Sequence, residues 1–261
     1  MNNAELAFDQ YASEYDVGFT NTWLGKYYRY RVQERMKYFW YGRKKILELN
    51  SGTGEDALFL AKMGNEVLAT DISNNMLNVA SQKAERFRCK HRVRTKHLAI
   101  ENLDQLNQER FDGILSNFGG LNCVKDFDQF AINASNLLVP NGTLMICVMG
   151  PYVPWEWFWY GVKGKFKKAF RRLPGETVWR NTKIYYPSVG KVKDTMENAS
   201  FKLISTEALG VFMPPSYVSH TVDAWPKTFR RLAIVEKRLS KIPLISNLAD
   251  HYLMVFKKVA D

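Results

Sequence analysis

Short apolar runs alternate with stretches of helical periodicity through most of the chain. Apolar runs predict seven strands, at residues 45–49, 66–71, 92–98, 111–116, 143–148, 201–207 and 251–257. Apolar residues recur at helical spacing in five further stretches, at residues 54–63, 73–87, 127–138, 188–199 and 224–239. Because alternating strands and helices build parallel sheets with helices on both faces, the pattern predicts an α/β fold around a seven-stranded, mostly parallel sheet.

Two segments lie outside this alternation. Residues 1–43 are aromatic and basic and are predicted to be helical, and residues 151–186 interrupt the order after the fifth strand. Since ligands bind at the carboxyl edge of open α/β sheets, we expect both segments to form a lid over that edge. The predicted units are an N-terminal helical lid (1–43), a core (44–150), an aromatic and basic cap (151–186) and the rest of the core (187–261), with a second cap insert at 210–248.

The composition is that of a globular protein, with 261 residues of which 46% are hydrophobic and 24% charged. No apolar run reaches the roughly 18 residues that span a membrane, and the polar start of the chain is unlike a signal peptide. Cys89, Cys123 and Cys147 lie far apart without a CxxC pair, which argues against a disulfide framework or a zinc site. We therefore expect a cytoplasmic protein without a bound metal.

The net charge of +11 favours an anionic partner: an acidic membrane face, an acidic substrate or nucleic acid. The positive charge is concentrated in residues 26–45 and 163–193. A solvated basic surface without a partner explains the same charge, so composition alone leaves both interpretations open.

A glycine-rich turn carries the clearest sign of chemistry. Gly52 and Gly54 follow a predicted strand and open a predicted helix, so the backbone can approach a ligand and the helix N-terminus can offer it free N–H groups. Asp71 ends the next predicted strand, where a carboxylate can accept hydrogen bonds from both hydroxyls of a ribose. The turn predicts a ligand that contains a nucleotide or nucleoside. It does not identify that ligand, because Gly52, Gly54 and Ala57 also satisfy the fingerprint of NAD(P)-binding proteins.

Together these segments resemble the class I S-adenosylmethionine-dependent methyltransferases, in particular the branch that acts on small molecules. The resemblance covers residues 8–149 and rests on Glu48-Leu49-Asn50-Ser51-Gly52-Thr53-Gly54, Asp71-Ile72-Ser73, Phe111-Asp112-Gly113, Pro140-Asn141-Gly142 and Phe8-Asp9-x-Tyr11-Ala12-x-x-Tyr15-Asp16. The family implies a Rossmann-like sheet whose last strand is antiparallel, and S-adenosyl-L-methionine as the cofactor.

The resemblance also implies which residues contact the cofactor. They are Tyr15, Glu48, Asn50, Ser51, Gly52, Gly54, Asp71, Ile72, Met76, Ala99, Ile100, Asn117 and Phe118. In such enzymes Asp71 would hold the ribose, Ile72 and Met76 would enclose the adenine, and Asn117 and Phe118 would lie beside the sulfonium.

Asn50 stands where the family has its first glycine. Asparagine is the non-glycine residue that best tolerates a positive φ, so we predict a left-handed backbone at this position. The resemblance implies that Glu48 orients the turn or the amino group of the cofactor, and that Ala99 and Ile100 flank the adenine edge.

Candidate catalytic residues are harder to identify, because the cofactor supplies the electrophile and the protein mainly aligns the nucleophile. Tyr11 and Tyr15 lie in the N-terminal segment that closes over the cofactor in similar enzymes, and His220 lies in the second insert. Simple aromatic packing for the tyrosines and a surface loop for His220 are the alternatives.

Residues 154–172 place seven apolar residues on one face of a predicted amphipathic helix, opposite six basic residues. Such a helix suits contact with an anionic membrane, while packing over the pocket explains the apolar face equally well. Nucleic acid is disfavoured, because Ser116-Asn117-Phe118-Gly119 lacks the Asn/Asp-Pro-Pro-aromatic motif that holds a flipped base.

The sequence therefore predicts a methyltransferase that acts on a small or lipophilic metabolite, at O, N or C, by in-line displacement. An NAD(P)-binding oxidoreductase and an inactive methyltransferase-like binding subunit remain as alternatives. The carboxyl-terminal half shows no second nucleotide-binding repeat, which disfavours the oxidoreductase. The oligomeric state is left open.

Overall fold

The computed structural model describes residues 3–215, 218, 222 and 224–259. Its strands are β1 (Lys45–Leu49), β2 (Glu66–Asp71), β3 (Val93–His97), β4 (Phe111–Ser116), β5 (Leu138–Met149), β6 (Glu176–Trp179), β7 (Thr182–Tyr185), β8 (Phe201–Leu209) and β9 (His251–Lys258). Its helices are α1 (Asn3–Tyr15), α2 (Trp23–Phe39), α3 (Glu55–Lys62), α4 (Asn74–Arg86), α5 (Phe127–Leu137), α6 (Pro154–Gly161), α7 (Phe166–Ala169), α8 (Val189–Asn198), α9 (Pro226–Leu239) and α10 (Pro243–Ser246).

A seven-stranded sheet in the order β3-β2-β1-β4-β5-β9-β8 forms the centre of the molecule. Strands β1 to β5 pair in parallel, and β9 runs antiparallel to both of its neighbours, β5 and β8. The predicted Rossmann-like sheet with an antiparallel last strand is confirmed. The reversal of β9 matters for function, because it brings the start of β9 to the edge where the parallel strands end.

Alternating side chains on the strands supply a core to each face of the sheet. On one face, Ile46 and Val255 pack against α2, which contributes Leu24, Tyr28 and Val32 at helical spacing. On the other face α5 and α8 cover the neighbouring positions of the same strands. Helices therefore lie on both faces, and the carboxyl edge is the part of the sheet left for a ligand.

Two insertions extend this core. Helices α6 and α7 and the two-stranded antiparallel pair β6–β7 lie between β5 and α8, and α9 and α10 lie between β8 and β9. None of the helices in the part of the chain that the structure describes is long and apolar enough to cross a membrane.

The prediction of one continuous helix over residues 154–172 is wrong. Helix α6 ends at Gly161 and α7 begins at Phe166, and Gly164 between them has a φ of +66°. Two glycines so close together weaken a helix, by about 1 kcal/mol each, and permit a left-handed turn. Arg171 and Arg172 also leave the expected basic face and bond to the buried carboxylate of Glu156.

A close approach between Trp40 and Gly113 joins the N-terminal helices to the sheet. The Trp40 indole is 1% exposed and its Nε1 donates to Thr143 Oγ1 at 2.6 Å. A Cβ at Gly113 would lie 2.3 Å from that Nε1, so only glycine fits beneath the indole.

We expect Gly113→Ala to destabilise the fold by about 1–3 kcal/mol, the usual cost of overpacking a core. Gly190→Ala is the matched control, because Gly190 lies in α8 with no atom within 4 Å of an added Cβ; it should leave stability unchanged or raise it. Urea unfolding of both variants checks this. Equal midpoints for the two would show that the indole does not occupy this position.

Candidate functional site

The glycine-rich turn runs from the end of β1 to the start of α3. Asn50, Gly52 and Gly54 all have positive φ angles, of 47°, 52° and 79°. The left-handed backbone predicted for Asn50 is therefore present. A Cβ at Gly54 would lie 2.7 Å from Ala80 of α4, so glycine is required there by space as well as by conformation.

The Asn50 side chain explains why asparagine stands in this turn. Its Nδ2 donates to the Asn117 carbonyl at 2.7 Å, and its Oδ1 accepts from Ser116 Oγ at 2.6 Å. Asn50 thereby joins the end of β1 to the end of β4. Gly120 makes room for it, since a Cβ there would lie 2.0 Å from Asn50 Cγ.

Asp71 closes the turn from the neighbouring strand. Its two carboxylate oxygens accept from the Gly52 N–H at 2.8 Å and the Ser73 N–H at 2.9 Å. Burial raises the pKa of Asp71, while these backbone N–H groups oppose the rise. A carboxylate has about four lone-pair sites, so two remain for the hydroxyls of a ribose.

A buried ion pair that the sequence analysis missed lies beside the turn. Arg29 of α2 bonds to Asp56 in the first turn of α3, and Asn117 Nδ2 donates to the same carboxylate at 2.9 Å. The Arg29 guanidinium also lies 5.1 Å from the centre of the Phe118 ring. Asn117 is thus held by Asp56 and Phe118 by Arg29, and both were predicted from the family motifs.

Three buried polar atoms around this ion pair have no hydrogen-bond partner among the residues that the structure describes. They are the Arg29 Nε donor, the Glu48 Oε2 acceptor and the Ser51 hydroxyl. Burial and the Asp56 charge raise the pKa of Glu48 well above its usual value, and Arg29 opposes that shift. Buried polar groups in native proteins are nearly always paired, so these atoms indicate a polar ligand.

The residues predicted to surround an adenine lie further along the same edge. Ile72 and the buried Met76 flank Ser73, whose hydroxyl caps α4 by accepting from the Met76 N–H at 3.1 Å. Ala99 and Ile100 follow β3 and are half-buried. The structure places all four after the carboxyl ends of β2 and β3.

Helix α1 is fastened directly to the turn and to α4. Asp9 accepts from the Ser73 hydroxyl at 2.5 Å, and Asp16, in the turn that follows α1, accepts from the Thr53 hydroxyl at 2.7 Å. Lys83 of α4 completes the contact by bonding to Asp16 at 2.6 Å. The N-terminal segment therefore lies over the turn.

Aromatic rings form a continuous row from the insert to the start of β9. Successive ring centroids are 5.0–6.1 Å apart along the residues of this aromatic row, which are Trp179, Tyr11, Tyr15, Phe19, Phe118 and His251. The Tyr15 ring lies 3.9 Å from where a Gly52 Cβ would be. The rings meet edge to face or tilted and give the carboxyl edge an aromatic lining.

The predicted catalytic tyrosines both belong to this row. Burial raises the pKa of Tyr15 to about 12 and also raises the pKa of Tyr11. Each hydroxyl therefore keeps its proton near neutral pH and can donate a hydrogen bond, but cannot act as a base. His220, the third predicted residue, lies outside the described residues.

A second group that the sequence analysis missed lies at the other end of the row. His251 opens β9, and its Nδ1 lies 3.1 Å from Asp250 Oδ2. Asp250 in turn accepts from Arg172 Nη2 at 2.6 Å, and Arg172 bonds to Glu156 at 2.7 Å. Only the reversed direction of β9 places this histidine at the carboxyl edge.

Comparison with known proteins agrees with this geometry. A family profile described as a methyltransferase domain matches residues 46–142. Demethylmenaquinone methyltransferase of Clavibacter sepedonicus is 26% identical over 84% of this chain and 74% of its own length. Two shorter matches, 35% and 37% identical, span 41% and 34% of those relatives' lengths.

Solved structures of methyltransferases share the fold. Phosphoethanolamine N-methyltransferase 2 of Haemonchus contortus, solved with S-adenosyl-L-methionine, superposes with a TM-score of 0.63 at 18% identity, over 97% of this chain and 57% of that one. An S-adenosylmethionine-dependent methyltransferase of Mesorhizobium loti gives a TM-score of 0.60 at 14% identity, over 88% of this chain and 98% of that one.

Residues 46–142 thus carry a methyltransferase domain, and the fold is that of the S-adenosylmethionine-dependent methyltransferases, whose cofactor is S-adenosylmethionine. The sheet agrees with this assignment and disfavours an NAD(P)-binding oxidoreductase, whose sheet is built from two parallel βαβαβ halves. Here β9 is antiparallel and lies between β5 and β8.

The unpaired atoms fit the cofactor. Its amino-acid end carries an ammonium group, which can donate to Glu48 Oε2, and a carboxylate, which can accept from Arg29 Nε. A zwitterion can pair with both atoms, because its ammonium group donates to the unpaired acceptor and its carboxylate accepts from the unpaired donor.

We expect Asp71→Ala to weaken binding of S-adenosylhomocysteine by about 2 kcal/mol, because two hydrogen bonds to a charged group are lost. Isothermal titration calorimetry measures the effect. Asp71→Asn is the comparison variant, since it keeps the size and one acceptor oxygen and should lose less. Unchanged affinity in the alanine variant, with binding of NAD instead, would contradict the assignment.

The strained turn gives a second prediction. Asn50→Val should lower the stability by about 1–3 kcal/mol and weaken S-adenosylhomocysteine binding, because a β-branched residue resists a positive φ. Asn50→Gly keeps the backbone conformation but loses two side-chain hydrogen bonds, so its stability should lie between the valine variant and the wild type. Thermal unfolding ranks the three proteins, and a valine variant equal to the wild type would show that the turn is built differently.

Proposed function

We propose that the protein transfers the methyl group of S-adenosylmethionine to a small or lipophilic acceptor. The observation that carries the proposal is the cover over the carboxyl edge, where α1 meets the β6–β7 pair above the glycine-rich turn. Phe8 and Tyr11 of α1 contact Trp179 of β6, with ring centroids 5.6 and 6.1 Å apart. A covered, aromatic site suits a compact apolar acceptor better than a macromolecule.

The cover is anchored on its far side as well. Asn122 follows β4 and its Nδ2 donates to the Tyr185 carbonyl of β7 at 2.6 Å and to the Met149 carbonyl of β5 at 3.0 Å. The β6–β7 pair is thus tied to two strands of the sheet while it contacts α1. The acceptor would lie between this cover and the sheet edge.

The bound cofactor supplies an activated methyl group on a sulfonium. We propose that Glu48 and Arg29 hold its amino-acid end and that Asp71 holds its ribose. The proposed cofactor contacts include four residues of the turn: Asn50, Ser51, Gly52 and Gly54. They also include Ile72, Met76, Ala99 and Ile100 on the adenine side, and Asn117 and Phe118 beside the sulfonium. The site then acts by alignment and by exclusion of water, which together lower the barrier of an in-line displacement.

Tyr11 and Tyr15 would contribute as hydrogen-bond donors. Tyr15 lies directly over Gly52 and its high pKa keeps the hydroxyl protonated. It can therefore donate to the cofactor carboxylate or to the acceptor. We propose the same role for Tyr11, and His220 stays a predicted catalytic residue of the second insert.

Two measurements test this proposal. Calorimetry with S-adenosylhomocysteine, NAD and NADP should show binding of the first ligand only. Transfer of labelled methyl groups should then be compared between a lipid and metabolite extract and an RNA fraction, with label expected in the extract alone. Binding of S-adenosylhomocysteine without transfer to either fraction would favour the inactive binding subunit, and label in RNA would contradict a small acceptor.

We further propose that the α6–α7 segment touches anionic membranes. Four of the apolar side chains predicted to share one helical face remain exposed instead of packing on the protein: Phe158 (67%), Val162 (75%), Phe166 (62%) and Phe170 (46%). Four exposed lysines accompany them, at positions 163, 165, 167 and 168. Exposed aromatic residues beside clustered lysines are typical of proteins that lie on an anionic lipid surface.

Replacing Lys163, Lys165, Lys167 and Lys168 with Glu should abolish sedimentation with phosphatidylserine-containing liposomes. Each basic residue near an anionic surface contributes about 1 kcal/mol, and salt screens it. The wild type should sediment with anionic liposomes at low salt, less at high salt, and not with neutral liposomes.

A charge-matched control separates the segment from the net charge of the protein. Glutamate at Lys90, Lys125, Lys191 and Lys202, which are exposed on other elements, changes the net charge equally and should leave sedimentation intact. Equal loss in both variants would show that only the net charge matters. Binding to neither kind of liposome, together with self-association of the wild type, would instead assign the apolar residues to an interface between copies of the chain.

A further inference from the structure

A histidine at the carboxyl edge has one ring nitrogen fixed by a carboxylate, and the other has no partner among the described residues. The Nδ1 of His251 faces Asp250 Oδ2 at 3.1 Å. Its Nε2 makes no hydrogen bond in the described part of the chain, although the side chain is only 11% exposed. Since Asp250 accepts a hydrogen bond from Nδ1–H, the neutral ring leaves its basic lone pair on Nε2.

The carboxylate that orients His251 is unusually well held. Asp250 accepts from Arg172 Nη2 at 2.6 Å, and its backbone N–H donates to the Gly210 carbonyl at 3.1 Å. Its own carbonyl accepts from the Gly150 N–H at 3.2 Å. Although burial opposes ionisation, His251 and Arg172 hold the pKa of Asp250 below its usual range. The carboxylate therefore stays charged and the ring is held in one orientation.

The position of His251 relates it to the reacting atoms. It pairs with Met149, the last residue of β5, and its ring meets the Phe118 ring edge-on with centroids 6.1 Å apart. Phe118 follows β4 and lies next to Asn117, at the point of the sheet edge where the family motifs place the sulfonium. His251 thus lies at the inner end of the aromatic row.

Within the described part of the chain, several elements bring charged or titratable groups near the His251–Asp250 pair. The titratable and charged groups around it are Arg171, Arg172 and Glu156 of the first insert, Tyr186 before α8, Tyr28 of α2 and Cys147 of β5. Burial raises the pKa of Tyr28 and Tyr186, and that of Cys147 to about 12. Arg172 bonds to both Glu156 and Asp250, so the charges beside the ring are paired with each other.

We propose that His251 is the general base of methyl transfer to an aromatic hydroxyl acceptor, with Asp250 as its positioning residue. This rests on the proposed function, since it names the acceptor class of the same site. As the acceptor oxygen forms its bond to the methyl carbon, the electron pair of the carbon–sulfur bond passes to sulfur. The hydroxyl proton passes to His251 Nε2, giving an imidazolium beside the Asp250 carboxylate, and is later released to water.

The test compares two probe acceptors at mildly alkaline pH. Phenol keeps its proton there and needs a base, whereas 4-nitrophenol is ionised and does not. His251→Gln removes the basic nitrogen but can still donate to Asp250, and should slow labelled methyl transfer to phenol roughly 100- to 10,000-fold while changing transfer to 4-nitrophenol less than tenfold. His91→Gln, at an exposed position before β3, is the control and should change neither rate.

Asp250→Asn gives a second variant that keeps the side-chain shape. Its amide can donate to Nδ1, which would move the ring proton to Nε2 and remove the base, so the phenol rate should again fall selectively. NMR of protein labelled with nitrogen-15 histidine reports the tautomer directly. We expect Nδ1–H and an unprotonated Nε2 in the wild type, and a reversed tautomer in Asp250→Asn.

Three outcomes would overturn the inference. Equal losses with both phenols would make His251 a structural residue, as would an imidazolium or an Nε2–H tautomer throughout the pH range of activity. Binding of S-adenosylhomocysteine without transfer to either phenol would exclude the hydroxyl acceptor and leave the methyltransferase assignment standing. Failure of the wild type to bind S-adenosylhomocysteine would instead reject the proposed function itself.

Discussion

The buried ion pair between Arg29 and Asp56 connects the parts from which the site is built. It joins α2 to the first turn of α3, and Asn117 at the end of β4 bonds to the same carboxylate. A buried pair is costly to desolvate, so it stabilises the structure only when its remaining polar atoms also find partners. Among the residues that the structure describes, Arg29 Nε finds no partner, and neither does Glu48 Oε2 beside it. The ion pair thus holds the carboxyl edge together, and the two unpaired atoms are those that we propose the amino-acid end of the cofactor contacts.

The sheet and the turn were predictable because each depends on local sequence. Apolar runs of strand length and helical spacing predict the alternation of strands and helices, whereas the antiparallel last strand was implied by the family resemblance. The positive φ of Asn50 follows from the chemistry of asparagine. The interactions missed by the sequence analysis all join residues distant along the chain. Arg29 and Arg31 belonged to a basic cluster that suggests a solvated surface, yet they bond to Asp56 and Glu207. These ion pairs cannot be recognised from local sequence, because their partners lie far apart along the chain. The one available signal was that the arginines share a helical face with apolar residues, which favours burial.

The insert shows the opposite case, in which a local pattern predicted too much order. Apolar spacing indicated one helix, but Gly161 and Gly164 divide it, and the left-handed φ at Gly164 turns the chain. Arg172 then leaves the basic face to bond Glu156 and Asp250 in the interior. What remains outside is a smaller surface of lysines and exposed apolar residues, a composition that suits a lipid surface. The break in the helix therefore lets Arg172 bond to Asp250 while the lysines stay on the surface proposed to contact a membrane.

The proposed roles of Arg29, Glu48 and Asp71 depend most directly on where the cofactor lies. A crystal structure of the protein with S-adenosylhomocysteine tests this, because each unpaired atom makes a separate claim. We expect the amino group within hydrogen-bond distance of Glu48 Oε2, the carboxylate on Arg29 Nε and both ribose hydroxyls on Asp71, with the sulfur beside Asn117 and Phe118. A cofactor bound elsewhere, or one that leaves Glu48 and Arg29 unpaired, would contradict the account.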